Sequence, residues 1–309
     1  MYVAACALHH RSAQVMAQSS AASRPQSAAG RAVFRVPPHA YFLVSAVFHY
    51  LGPAFAVLLF ARVEVLGVAW LRIASAAVLF AAWRRPWRLF SSVGSGDRWK
   101  ILALGVVLGV MNGCFYLAIA RLPLATVGAI EFLGPIALAL WGTRTRRNAV
   151  AVALVVGGVY FLSSLRLSAE PLGFALAFAN CGLFVLYVLL AHRIAQFGGT
   201  AGIDGLGASM LIALLVVMPV GLARAMPAFK SPFLLGAGVT VGICSSVIPY
   251  VTDQLAMARL SRATYALLLS LLPAAATAIG LAVLHQIPGA GDIAGIALVV
   301  AGIAVHKES

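Results

Sequence analysis

The sequence predicts an all-α membrane protein with ten transmembrane helices, arranged as two inverted five-helix repeats. Three observations lead to this fold class: a very apolar composition, a series of apolar segments of membrane-spanning length, and an internal repeat. Of the 309 residues, 62% are hydrophobic and 10% are charged, whereas a soluble domain has about 25% charged residues. So little charge cannot cover a surface that faces water, but lipid tolerates an apolar surface.

The predicted spans follow from the lengths of the apolar segments, because a membrane-spanning helix needs about 20 mainly apolar residues. The segments are 41–60, 66–83, 100–119, 124–142, 148–164, 171–191, 206–223, 233–252, 264–284 and 290–306. Short connections join them, and none could hold a soluble catalytic domain. Residues 1–40 are rich in Ala, Ser, Gln and Arg, and we expect them to form a disordered basic tail.

An internal repeat relates the two halves of the chain at an offset of 138 residues. Ala118–Thr126 reads AIARLPLAT, and Ala256–Thr264 reads AMARLSRAT. In the same alignment Pro135 meets Pro273. The shared Arg-Leu, the Ala-Thr and the later proline are more specific than the Leu, Val and Ala that any two apolar helices share.

The repeat divides the spans into residues 41–165 and 166–309, with five in each part. Because five is odd, the two halves must enter the membrane in opposite directions. Inverted repeats are a construction principle of secondary transporters, whose substrate site lies near the midplane between the halves. The topology therefore indicates transport without reference to any one residue.

The net charge of +14 is spread over short Lys and Arg clusters between the apolar segments. This pattern suits anionic lipid headgroups better than nucleic acid. With the N-terminus in the cytoplasm, 16 of the cations fall on the cytoplasmic side and 5 on the other, with Arg72 inside a span. The positive-inside rule then predicts a multi-pass membrane protein with both termini cytoplasmic.

Glu131 and Arg72 are charged residues inside predicted spans, where a charge costs about 2.5–3.5 kcal/mol on insertion scales. At ~1.5 Å per residue, both lie roughly 9–11 Å below the outer surface. We expect them to face the bundle interior at matching depth. One interpretation is a structural ion pair. The other is a substrate and proton site, in which Arg72 binds a carboxylate and Glu131 binds an ammonium group or a proton.

Several uncharged polar residues also fall inside the spans. Asn112 and Asn180 must hydrogen-bond in lipid, either to another helix or to a substrate. Tyr116 lies one turn beyond Asn112 and shares its helix face. Tyr250 completes the predicted substrate-binding set of Glu131, Arg72, Asn112, Tyr116, Asn180 and Tyr250. His49 is either hydrogen-bonded structure or a proton relay, which makes Glu131 and His49 the candidates for proton coupling.

Three further features carry structural interpretations. Asp253 lies at the inner end of its predicted span and is expected to cap the helix at the interface. Tyr187 is expected at the same interface depth. Gly105, Gly109 and Gly113 are spaced by four residues and predict close helix packing.

The sequence also resembles a known family. Gly109–Ile119 reads GVMNGCFYLAI and is followed by Pro123-Leu124 and by Glu131–Pro135, which reads EFLGP. These runs resemble the drug/metabolite transporter superfamily, in particular its EamA-type branch and the threonine and homoserine exporters. Ile248-Pro249-Tyr250 continues the likeness in the second half.

The resemblance implies a ten-helix inner-membrane exporter of small amino acids or related metabolites, driven by the proton gradient. Two positions depart from the family's pattern. The ninth span carries Leu272-Pro273 where such exporters usually have Glu-Pro. It ends in His285-Gln286 where they tend to have Gly-Glu. If those carboxylates couple protons in the family, coupling in this chain rests on other residues.

The alternatives are a transporter of drugs, nucleotide derivatives or lipid intermediates with the same fold, and a membrane-embedded enzyme. The sequence contains no HExxH, GxSxG or GxxxxGK[ST] motif, so we expect neither an enzyme nor an ATP-driven pump. No cofactor and no metal site are predicted. The expected partners are a small polar metabolite and membrane lipid, not nucleic acid, and a homodimer is left open.

Overall fold

The computed structural model describes residues 36–131, 133–134, 146–163, 170–197, 201–261, 264–265, 268 and 272–305. The remaining residues include 1–35 of the predicted tail, residues 135–142 of the fourth predicted span and part of the ninth. The helices are α1 (Pro38–Leu59), α2 (Val65–Arg84), α3 (Trp87–Ser92), α4 (Ser95–Ile119), α5 (Leu124–Glu131), α6 (Arg146–Ser163), α7 (Pro171–Ala195), α8 (Ala201–Phe229), α9 (Pro232–Gly242), α10 (Ile248–Met257), α11 (Leu272–Leu284) and α12 (Ala290–Val305). Within the described ranges every regular element is helical.

Six of the described helical segments are long and apolar enough to cross a membrane. They are α1, α2, α4, α7, α8 and the continuous segment Pro232–Met257, which contains α9 and α10. This confirms the prediction of an all-α membrane protein. The other apolar helices are shorter, so the count of ten spans and the inverted repeat remain predictions, although the helices follow the order of the predicted segments.

Each membrane-length helix has one face inside the bundle and one face outside it. Between 39% and 61% of the apolar window of each helix is buried. Large apolar side chains cover the outward faces, as Leu43 on α1, Val78 on α2 and Leu215 on α8 show with more than 60% exposure each. An apolar outer surface of this kind is stable in lipid and not in water.

Glycines on α4 allow this helix to pack closely against α8. A Cβ atom on Gly105 would lie 2.5 Å from Ile212, and one on Gly109 would lie 2.9 Å from Val216. A Cβ atom on Gly113 would meet nothing within 4 Å. The prediction of close packing is therefore confirmed at the first two glycines and wrong at Gly113, which lies beyond the helix contact. The Ser209 hydroxyl strengthens the contact by donating to the Ile101 carbonyl at 2.9 Å.

A five-residue π-helical turn, Ile243–Val247, separates α9 from α10. Pro249 has no N–H group, so the carbonyl of Ser245, four residues earlier, loses its usual helical donor. The N–H of Ile248 bonds to the carbonyl of Ile243, five residues earlier, as in a π-helix. Gly52 of α1 faces this turn, and a Cβ atom there would lie 2.6 Å from the Ser245 nitrogen. The break thus leaves the Ser245 carbonyl without its usual helical donor, deep inside the bundle.

Candidate functional site

A narrow cavity lies in the interior of the bundle, where six helices meet. It is lined by His49 and Pro53 of α1, Arg72 of α2, Met111, Asn112 and Phe115 of α4, Glu131 of α5, Asn180 of α7 and Tyr250 of α10. The unfilled space between these side chains is about 260 Å³. Only about 10 Å³ of this space can hold the centre of a water molecule. The cavity therefore has room for about one water molecule. This conformation therefore holds the site nearly closed.

Glu131 is the last residue of α5, and only 3% of it is exposed. The Tyr50 hydroxyl donates to Oε2 at 3.1 Å, and Nδ2 of Asn180 donates to Oε1 at 2.8 Å. Nε2 of His49 lies 3.8 Å from Oε2. A buried carboxylate is tolerated when donors or opposite charges compensate for its lost hydration. Groups on α1 and α7 supply that compensation here, so Glu131 joins three helices.

Arg72 lies in the first half of α2 and is 5% exposed. Its Nε donates to the Ser246 hydroxyl at 2.8 Å. A terminal nitrogen donates to the Ser245 carbonyl at 2.7 Å and to the Tyr250 hydroxyl at 3.2 Å. The carbonyl that accepts is the one that Pro249 leaves without a helical donor. The Arg72 guanidinium is therefore fixed by the π-helical turn.

All of these Arg72 partners are neutral. The guanidinium carbon lies 5.4 Å from the centre of the Tyr116 ring and 5.9 Å from that of Tyr250, within the range of cation–π attraction. Among the described residues no carboxylate forms a salt bridge with Arg72. Arg72 and Glu131 line the same cavity, as predicted from their depth, but the structural ion pair between them is not formed. The cavity thus contains a buried cation whose charge no described side chain pairs directly.

The other predicted residues surround these two charges. Asn112 lines the cavity while its Nδ2 bonds to the Leu108 carbonyl of its own helix at 2.7 Å. Tyr116 lies one turn further along α4 and is fully buried behind Arg72. Asn180 contacts Glu131, and its own Oδ1 has no hydrogen-bond partner among the described residues. The predicted substrate-binding residues and His49 are thus gathered at one place, where their roles remain predictions.

Tyr187 is fully buried, with its ring 5.5 Å from that of Tyr250, and its depth at the interface stays a prediction. The interpretation of Asp253 as a helix cap is wrong. Asp253 does not cap a helix end, because α10 continues to Met257 and Asp253 is only 2% exposed. Apolar patterning placed the end of this span too early, since α10 ends in a buried polar segment that packs inside the protein.

Three neighbours of the two charges are not among the residues predicted from the sequence. The Tyr50 hydroxyl donates to Glu131. Ser245 and Ser246 accept hydrogen bonds from Arg72. Pro249 was the available signal for this pair, because a proline within a span frees the carbonyl four residues earlier.

The two departures from the family pattern have different surroundings. Leu272 is buried at 2% exposure in the apolar core. Oε1 of Gln286 accepts a hydrogen bond from the Leu124 backbone nitrogen at 3.1 Å. The amide therefore satisfies one of the free N–H groups at the start of α5, which is the helix that ends in Glu131.

Buried charges around a nearly closed cavity, inside an apolar helical bundle, define this chain as an integral membrane protein of the transporter class. The threonine/homoserine exporter RhtA of Escherichia coli strain K12 is 34% identical over 238 residues, which are 76% of this chain and 79% of that protein. The protein of the same name from Salmonella typhimurium strain LT2 is 32% identical with the same coverage. The chain belongs to the drug/metabolite transporter superfamily, in the EamA-type branch of these exporters.

A solved structure described as "Crystal structure of protein" has a TM-score of 0.58 and 18% identity, and the match covers 87% of this chain and 97% of that one. This likeness supports the fold alone. A scan against protein-family models finds no match. Membership of a transporter superfamily confirms the prediction that the chain is not an enzyme.

Proposed function

We propose that this chain is a proton-coupled exporter of small amino acids, of the threonine and homoserine type, across the plasma membrane. The observation that carries the proposal is the cavity lined by two opposite charges, Arg72 and Glu131, which form no salt bridge with each other in the described part of the chain. A zwitterionic amino acid presents the two complementary charges. The names of the relatives support the same class of substrate.

Arg72 is the group proposed to bind the substrate carboxylate. Its side chain is held by Ser246, by the Ser245 carbonyl and by two tyrosine rings, so little flexibility is lost when an anion binds. A guanidinium forms strong charge-assisted hydrogen bonds with carboxylates. A buried cation without a counter-charge is costly, and a bound carboxylate would relieve that cost.

Glu131 is proposed to bind either the substrate ammonium group or a proton. The two cations cannot occupy one carboxylate together, because each neutralises the same charge. Competition between them exchanges one cation for the other, which is what coupled export requires. His49, 3.8 Å from Glu131, is proposed as the group that receives or supplies the proton.

The remaining residues are proposed as substrate contacts. Asn180 offers an unused acceptor, Oδ1, beside Glu131, where an ammonium or hydroxyl group could donate. Asn112 and Tyr250 line the cavity between the two charges, and Tyr116 supports Arg72 from behind. The names of the relatives favour a small amino acid over a drug, a nucleotide derivative or a lipid intermediate.

The proposed topology has ten spans in two inverted repeats, residues 41–165 and 166–309, with both termini in the cytoplasm. The self-alignment of Ala118–Thr126 with Ala256–Thr264 and the distribution of Lys and Arg support it. The site would then lie between the repeats, since α1, α2, α4 and α5 come from the first and α7 and α10 from the second.

The experiment is uptake of labelled threonine and homoserine into inside-out vesicles with an acidic lumen. We expect accumulation that disappears when the pH gradient is dissipated. Glu131→Gln should lower accumulation to background, because it removes the exchangeable charge. Glu64→Gln is the matched control, since the Glu64 side chain is 71% exposed. It should behave like the unaltered protein.

Two results would contradict the proposal. If the unaltered protein accumulates no amino acid under a verified gradient, the substrate class is wrong. If Glu131→Gln accumulates normally, the role of Glu131 is wrong while the substrate class stands. Insertion of each variant is checked by its amount in the membrane.

A further inference from the structure

A second buried carboxylate, Asp253, lies outside the lining of the cavity. It is carried by α10, is 2% exposed and lies four residues before the end of that helix. Its burial is as complete as that of Glu131. Among the described residues no Lys or Arg forms a salt bridge with it. A purely structural carboxylate at this depth would normally have such a partner or a full set of donors.

Hydroxyl groups from three other parts of the chain face this carboxylate. They belong to Ser45 of α1, Tyr187 of α7 and Tyr265. Each lies within hydrogen-bonding reach, yet Oδ1 of Asp253 and the hydroxyls of Tyr187 and Tyr265 form no well-aligned hydrogen bond with any described residue. Leaving a buried acceptor in this state destabilises the fold. The arrangement therefore has unused capacity to bind a small cation.

His49 is the basic group that faces Asp253. It lies on α1 one turn beyond Ser45, so the two side chains share a helix face. It interacts electrostatically with Asp253 without coming within salt-bridge distance, and its Nε2 lies 3.8 Å from Glu131. The other titratable groups around Asp253 are Tyr187 and Tyr265, with Tyr250 one turn back on its own helix. His49 thus interacts electrostatically with both buried carboxylates, and it lies within 4 Å of Glu131.

We propose that Asp253 is a second proton-binding residue of the transporter, connected to Glu131 through His49. This inference rests on the proposed proton-coupled export. In the proposed orientation, Ser45 and Asp253 lie toward the cytoplasmic ends of α1 and α10. A proton that entered from the outer side at Glu131 would leave through Asp253, without passing the substrate.

The transfer balances in two steps. Protonated Glu131 loses its O–H proton to Nε2 of neutral His49, which forms an imidazolium and frees the Glu131 carboxylate for the substrate ammonium group. The imidazolium then releases the proton from its other nitrogen to Asp253 and becomes neutral again. Because His49 and Asp253 are not in direct contact, a bridging water or a rotation of the imidazole completes this step.

The test separates substrate binding from proton movement in inside-out vesicles. Counterflow, the exchange of labelled for unlabelled threonine at equal pH on both sides, needs no net proton transfer, whereas accumulation driven by a pH gradient does. We expect Asp253→Asn to keep counterflow within about twofold and to lose accumulation by at least about a hundredfold, the low end of what a positioned proton-transfer group contributes. His49→Gln should also lose gradient-driven accumulation, and the double variant should accumulate no less than either single variant.

The matched control is Asp97→Asn, since Asp97 pairs with Lys100 at the start of α4 and its side chain is 40% exposed. It should not affect either assay.

Normal accumulation by Asp253→Asn would overturn the proposal, as would an equal loss of counterflow and accumulation. If Asp253→Asn fails to insert, Asp253→Glu is measured in its place. A shifted pH profile of its accumulation supports the proposal. An unchanged profile, or failure of this variant to insert, overturns it. Failure of the proposed function itself is recognised without variants, as absence of both counterflow and accumulation in the unaltered protein.

Discussion

Single residues carry the charges of this bundle, and their partners explain why the protein tolerates them. Glu131 is compensated by donors from Tyr50 and Asn180. Arg72 is compensated only by neutral acceptors and aromatic faces. Neutral partners satisfy the donors of a guanidinium but leave its charge unbalanced. The two residues therefore differ: Glu131 has His49 at 3.8 Å, whereas no carboxylate in the described part of the chain comes within salt-bridge distance of Arg72.

Replacing Arg72 by Lys tests the proposed carboxylate site. Lys keeps the charge but cannot donate to Ser246, to the Ser245 carbonyl and to a substrate at the same time, because it lacks the planar array of donors. We expect the KM for threonine to rise by about tenfold to a hundredfold, which is the loss of one or two charge-assisted hydrogen bonds. Initial rates of uptake over a range of threonine concentrations measure it.

Arg62→Lys is the control for this substitution, because Arg62 is exposed in the connection between α1 and α2. It should leave KM unchanged. An Arg72→Lys protein with an unaltered KM would show that the guanidinium geometry is not used for binding.

At the scale of the element, the break between α9 and α10 positions Arg72. Pro249 removes one helical hydrogen bond, and the freed Ser245 carbonyl accepts from the guanidinium at 2.7 Å. π-helical turns are rare and are often found at functional sites. The site thus depends on a local defect in a helix and not only on the side chains that line it.

Pro249→Ala tests this dependence. The new N–H group can bond to the Ser245 carbonyl and compete with Arg72, so we expect lower transport without lower stability. Uptake and the midpoint of thermal unfolding in detergent measure the two effects. Pro219→Ala is the control, since Pro219 lies inside α8 on an exposed face. Equal effects of both substitutions on uptake would contradict a specific role for Pro249.

Helix packing gives a second prediction at this scale. Gly105→Ala places a Cβ atom 2.5 Å from Ile212 and 2.8 Å from the Ser209 carbonyl, so α4 and α8 must separate. We expect a loss of about 1–3 kcal/mol of stability, the usual effect of overpacking. Gly113→Ala on the same helix meets nothing within 4 Å and should be neutral or slightly stabilising. Thermal unfolding in detergent compares the two variants. Equal unfolding midpoints would show that α8 shifts to make room for the new Cβ atom.

For the whole molecule, the proposed inverted repeat predicts the direction of the two halves. Arg121 and Arg259 are equivalent in the internal repeat, and five spans in each half would place them on opposite sides of the membrane. The nearly closed cavity also requires the helices around it to move apart before a molecule of threonine size can enter. Inverted halves that rock against each other are a common way to open such a site alternately to each side.

Cysteine labelling tests the inverted topology. In a background without the native cysteines, Arg121→Cys should react with a membrane-impermeant maleimide from the outside. Ser261→Cys, two residues beyond Arg259 and exposed, should react only from the cytoplasmic side. Comparison of intact cells with inside-out vesicles measures the difference. Labelling of both from the same side would exclude inverted halves.

The sequence predicted the class of fold and most of the polar residues that line the cavity, but not the contacts that these residues make. Glu131, Arg72, Asn112 and Asn180 could be selected because any polar residue within an apolar span needs a partner. Depth along a helix could be counted, which placed Glu131 and Arg72 at the same level. The same reasoning did not select Tyr50 and Ser245, because tyrosine and serine are common in spans. It did not select Asp253 either, because this residue lies near the end of a predicted span.

The sequence by itself determined that this protein is a helical bundle for lipid, because apolar segments of that length and number admit no other stable form. It also determined which residues are too polar to face lipid. Only the tertiary structure decided which of them meet, such as Arg72 with Ser246 across 174 positions of the chain. The physical reason is that lipid and the bundle interior are equally apolar, so hydrophobicity does not distinguish the two faces of a helix. Close packing of small residues and breaks at prolines select the inward face, and both act only between helices.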